Sequence, residues 1–192
     1  MKTRNRKTGL VLALALVATL AAGAPDPAHA QSAGLDISQA RLQQAFYPGK
    51  RTPGRYAFRA LLNDASTGGL FFTELLAGTI VVELSDASGF GNSLSVTIEN
   101  CRRNANGARC IFRTPEGFRV AAFAKRFRNV PDVFIFAVRV RDLQETDTGF
   151  GPLAGPVTLS VIQSTVTRTD TTAAGDCIVR DKGGALRCKD RS

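Results

Sequence analysis

The chain has 192 residues, a formal net charge of +9, four Cys, two Tyr, no Trp and a single His. That His, His29, lies in the leader described next, so the remainder of the chain offers no imidazole. Ser-His-Asp and Cys-His catalysis and His-ligated zinc are thereby excluded, and scarce Trp and Tyr argue against the stacking platforms used by many sugar and single-strand binders.

Residues Met1–Ala30 carry the marks of a signal peptide. Lys2, Arg4, Arg6 and Lys7 form a positive start, Leu10–Ala22 is a short apolar run, and Ala28 and Ala30 flank the expected cut before Gln31. The apolar run falls short of the roughly 20 residues that a membrane span requires. Arg4-Asn5-Arg6 is not a twin-arginine pair, and no Cys follows the cut to take a lipid. A secreted or periplasmic product without a transmembrane segment is expected, and the Ala- and Arg-rich composition suits a bacterial source. Beyond the leader, basic side chains still outnumber acidic ones. This mild excess favours an anionic glycan, an envelope surface or another protein as partner, or serves solubility alone. No nucleic acid is expected.

In chain order the elements read as strands. Ile37–Phe46 is taken as a strand, followed by Tyr56–Leu62, Thr79–Leu84, Ser93–Ile98 and Arg109–Arg113. After the short linker Thr114–Gly117 come Val120–Arg128, Val133–Val140, Val157–Ile162 and Val166–Arg168. Gly, Pro, Asn and Asp clusters separate them, as at Pro53-Gly54, Asn63-Asp64 and Pro131-Asp132. Displaced so that Arg41 falls on Arg119, the chain matches itself: Tyr56 meets Phe134, Phe58 meets Phe136 and Asp64 meets Asp142. After one residue is lost in the loop, Ile80, Val82 and Leu84 meet Val157, Leu159 and Val161. The expectation is an all-β protein of immunoglobulin-like β-sandwich architecture, built from two tandem units of about 78 residues. The units are 31–113 and 118–192, packed as two small sandwiches or as one of ten strands.

The repeat also guides the cysteines. Cys101 and Cys110 match Cys177 and Cys188, so local pairing within each unit is expected among the three possibilities. Their eight and ten intervening residues do not suit a redox Cys-x-x-Cys or a zinc site.

Two residue sets stand out as candidate sites. Arg102, Arg103 and Arg109 on the first cysteine hairpin, with Arg180, Lys182, Arg187 and Lys189 on and after the second, would form one positive rim if both hairpins point the same way. Edge strands also carry such charges simply to prevent sheet-to-sheet pairing. The second set, Asp142, Glu145 and Asp147, forms an acidic loop after a strand. It offers three carboxylates in no known calcium spacing, and turn capping is the simpler reading. The Thr-rich stretch Thr165–Thr172 reads as an exposed strand or polar loop. Neither metal nor cofactor is expected. The leading expectation is a non-enzymatic binding protein. The alternatives are an assembly protein that pairs through an edge strand and a carboxylate-based hydrolase.

Overall fold

Alternating apolar and polar side chains become strand after strand in the computed structural model, which describes residues 34–45, 52–65, 71, 78–104, 106–127, 130, 132–144, 151–164 and 166–190. The expected leader lies outside the described residues, as do Glu145 and Asp147. The chain is all-β. The first six strands are β1 (Leu35–Gln43), β2 (Gly54–Asn63), β3 (Thr79–Asp86), β4 (Gly91–Thr97), β5 (Cys101–Asn104) and β6 (Gly107–Arg113). The second six are β7 (Arg119–Arg126), β8 (Val133–Leu143), β9 (Val157–Gln163), β10 (Val166–Thr171), β11 (Cys177–Arg180) and β12 (Ala185–Lys189). The described residues thus hold twelve strands where the sequence reading names nine; the three it does not name, β5, β11 and β12, are arms of the cysteine hairpins. The arms β5 and β11 show no alternation to announce them, because their residues are exposed or only half-buried.

The strands form two antiparallel sheets. One has eight strands in the order β11-β12-β1-β2-β8-β7-β6-β5, the other four in the order β10-β9-β3-β4. Exchanging each strand for the one six places away in the chain turns both orders onto themselves. At the middle of the large sheet Arg59 faces Ala137, and at the middle of the small sheet Glu83 faces Ser160. In both pairs a residue stands opposite the one that the displaced sequence sets against it. Each set of six is three successive hairpins, yet β12 pairs with β1 and β6 with β7, so the sets interlock.

Inward side chains from both sheets meet in one continuous core. Tyr56, Phe58, Ala60 and Leu62 of β2 lie opposite Val140, Val138, Phe136 and Phe134 of β8. Ile80, Val82 and Leu84 of β3 and Val157, Leu159 and Val161 of β9 supply the other layer. Phe71, buried in the connection after β2, sets its ring 5.6 Å from Phe134 and 5.2 Å from Phe136, while Phe58 meets Phe136 edge-on at 5.6 Å. Tyr56 bridges the layers by donating its hydroxyl to Asn92 Oδ1 at 2.9 Å, and burial pushes that phenol well above its ordinary pKa. A bulge between Ile37 and Gln39 switches the inward parity of β1 from Leu35 and Ile37 to Ala40 and Leu42.

The disulfides are Cys101–Cys110 and Cys177–Cys188, each between directly opposed residues of a hairpin, β5–β6 and β11–β12. Local pairing is therefore what forms, and both staples hold the outermost strands of the large sheet. Among the described residues no helix is long and apolar enough to cross a membrane.

Candidate functional site

The parity that buries the aromatic residues of β2 and β8 forces their arginines onto the opposite face of the large sheet. Strand register then aligns these arginines across neighbouring strands. Arg55, Arg141, Arg119 and Arg113 stand opposite one another on β2, β8, β7 and β6. The next row reads Arg187, Arg41, Ala57, Arg139, Ala121 and Ile111 from β12 to β6. The row after that reads Lys189, Gln39, Arg59, Ala137, Phe123 and Arg109, continuing to Arg102 on β5.

Like charges set directly opposite one another in a sheet are destabilising. Asp142 brings a carboxylate to the first of these rows, where it accepts from Arg119 Nε at 2.5 Å and Nη2 at 3.1 Å. Asp142 lies near the end of β8 in a left-handed conformation, φ 67°. The Arg119 guanidinium beside it holds its carboxyl below the ordinary carboxylate range, with Arg113 and Arg141 adding to the effect. A lowered folded-state pKa means that the pair stabilises above the unfolded-state value and loses its contribution as pH falls through the folded-state value. An NMR titration should place the Asp142 carboxyl below about 3.9, and Arg119→Ala should raise it.

The face is uneven. A depression of about 490 Å³ is walled by Arg41, Arg55, Arg139, Arg141, Arg180 and Arg187. It adjoins a second, of about 470 Å³, through the shared Arg41, Ala57 and Arg139. The second has a floor of Ala57, Ala121 and Ala137 and a side wall of Phe123, which is 44% exposed. A third, of about 500 Å³, shares Arg109 and Phe123 with the second and ends at Arg102, Arg103 and Lys125. The three run in series from the β11–β12 edge to the β5 edge.

The hairpin residues of the proposed rim therefore sit at opposite edges of one sheet, not side by side. Arg102 and Arg109 share the face with Arg180, Arg187 and Lys189, whereas Arg103 lies opposite Ala108 and Lys182 stands in the turn between β11 and β12 with φ 55°. Between them lie Arg41, Arg55, Arg59 and Arg139, which sequence reasoning passed over. The alternation of Arg139 and Arg141 with Val138 and Val140 was the available signal.

A second polar cluster is buried between the sheets. Arg168 of β10 donates Nη2 to Asp64 Oδ1 and Nη1 to Gln163 Oε1, each at 2.6 Å, and Asp64 Oδ2 accepts from the Phe71 N–H at 2.8 Å. Arg168 is 2% exposed and Asp64 fully buried. Asp170, also inward on β10, accepts the Ile37 N–H at 2.7 Å beside the β1 bulge. Asp64 thus ties the end of β2 to the Phe71 segment and to β10. The outer face of the small sheet is opposite in character. Thr167, Thr169 and Thr171 stand beside Ser160 and Thr158, and Glu83 is the charged residue among them in the described strands. Compared with known proteins, the chain matches no family model, no curated protein and no solved structure.

Proposed function

We propose that the protein is a non-enzymatic, exported binding protein whose eight-stranded sheet holds a polyanion against its outer face. One observation carries this reading. Arg55, Arg59, Arg139 and Arg141 lie on β2 and β8, the two central strands of the large sheet. Protection of sheet edges accounts for charges on β5 and β11, but not for a ladder of like charges at the centre, which costs stability. A compensating anionic partner supplies the reason for it.

The leader at Met1–Ala30 and the two disulfides support export to an oxidising compartment. The self-matching strand orders, and the central pairs that set a residue opposite its own counterpart, support an internal duplication interlocked into a single two-layer sandwich. Its eight-plus-four division differs from that of immunoglobulin domains, so the likeness rests on layers and hairpins. Against hydrolysis stands the engagement of Asp142, the described carboxylate of the candidate loop, by Arg119; Asp64, at the other end of β8, is likewise paired, with Arg168.

The double change Arg139→Glu and Arg141→Glu tests the reading. Wild-type protein should be retained on a heparin matrix well beyond the salt at which it leaves a sulfopropyl exchanger. The variant should lose about 100-fold or more in affinity for soluble heparin at fixed ionic strength, roughly tenfold for each 1.4 kcal/mol of interaction removed. Unchanged retention in a variant with an unaltered melting curve would reject the arginine face as the binding surface.

A further inference from the structure

We infer that the ligand of this face is a linear anionic polysaccharide, sulfated or phosphorylated, lying across the strands with sugar rings over the alanine floor and its anions on the arginines beside it. This deepens the polyanion reading and rests on it. The argument begins with shape. The three depressions are joined in series by shared residues, Arg41 and Arg139 at one junction and Arg109 and Phe123 at the other. The track they form crosses eight strands, about 34 Å at an inter-strand spacing of about 4.8 Å. A compact anion would need one cup, whereas a track calls for an extended chain.

Twist excludes a planar partner. Neighbouring strands rotate by roughly 20–25°, which accumulates to roughly 140° or more across the sheet. A membrane plane would meet only part of the arginine set, while a flexible polymer can follow it. Stacking excludes single-stranded nucleic acid. Binders of that class present a succession of aromatic rings, and Phe123 is the aromatic side chain lining the three depressions other than the inward Tyr56 and Phe58.

Spacing then favours a glycan. At the centre of the middle row Arg41 and Arg139 flank Ala57, and Ala121 follows. These two arginines stand two strands, about 10 Å, apart, the advance of a disaccharide, while Arg187 beside Arg41 adds charge at one end. The small residues leave room for the apolar face of a ring where a larger side chain would fill the depression. A track of this length accommodates roughly seven to eight sugar units.

The test uses the full exported chain and sulfated heparin oligosaccharides of defined length, measured by calorimetry at one ionic strength. Affinity should climb about tenfold or more from tetrasaccharide to octasaccharide and level off beyond it. The double change Ala57→Leu and Ala121→Leu fills the floor without altering charge and suits strand geometry. It should weaken octasaccharide binding about tenfold while leaving elution from a sulfopropyl exchanger and the melting curve unchanged. Affinity independent of length, full binding by the leucine variant, or tighter binding of phosphatidylglycerol vesicles or oligothymidylate at the same salt would overturn the glycan assignment. A wild-type protein that binds none of these probes would instead overturn the polyanion reading itself.

Discussion

Replacing Arg168 with Leu should lower the unfolding free energy by about 3–5 kcal/mol, a large part of the roughly 5–15 kcal/mol available to an ordinary domain. The cause is the partner left behind. Asp64 is fully buried, and without Arg168 its charge loses the guanidinium and leans on the Phe71 N–H. Gln163 loses its guanidinium donor at the same time. Removing both charges separates the cost of an orphaned ion from the worth of the pair. Arg168→Met with Asp64→Leu should recover most of the loss. The residual deficit should be about 1–3 kcal/mol, since the Phe71 N–H then lacks its acceptor. Urea unfolding of the three proteins, compared at equal slope, reads these differences. Equal stability of the single and double variants would show that the pair does not act as a unit.

Phe136→Ala should cost a similar amount, about 3–5 kcal/mol, for a different reason. Its ring is wholly buried at the centre of the large sheet and touches both Phe58 and Phe71. Truncation opens a cavity beneath the middle strands, where two layers of backbone resist collapse. Phe71 also loses one of the two rings that seat its segment. Phe123→Ala is the matching control on the outer face of the same sheet. That side chain is 44% exposed, and its loss should change stability by no more than about 0.5 kcal/mol. Thermal and denaturant melts of the two variants give the comparison, and a small effect at Phe136 would contradict its assignment to a rigid core.

Much of this architecture could be read from residue alternation alone. Val133–Val140, Thr79–Leu84 and Val157–Ile162 announce their inward sides because apolar and polar residues take turns, and backbone pleating converts that into faces. The cysteine pairs were legible through the expected repeat, since displacing the sequence sets Cys101 and Cys110 against Cys177 and Cys188. Thr165–Thr172 reads as an exposed strand or polar loop, and Thr167, Thr169 and Thr171 of β10 do face outward. What the stretch does not announce is that Arg168 and Asp170 turn inward, because the partners that make them tolerable, Asp64 and the Ile37 N–H, lie 104 and 133 residues away. The arginine ladder was hidden likewise. Alternation puts Arg139 and Arg141 on one face of β8, but only the register of β1, β2, β8, β7 and β6 brings the arginines of separate strands into line.

The pairing of β1 with β12 has a consequence for the order in which the protein is made. Among the described strands β1 is made first and finds β2 at once, but its other side is completed by β12, the last of them. Until that hairpin arrives, β1 presents a row of unsatisfied N–H and C=O groups, the template on which chains join one another. Folding that must wait for contacts so distant in sequence is intrinsically slow. A nascent or truncated chain lacking residues after Asp176 therefore carries an open strand that the finished molecule covers with a disulfide-stapled lock. Loss of the C-terminal hairpin should show itself less as a smaller protein than as a sticky one.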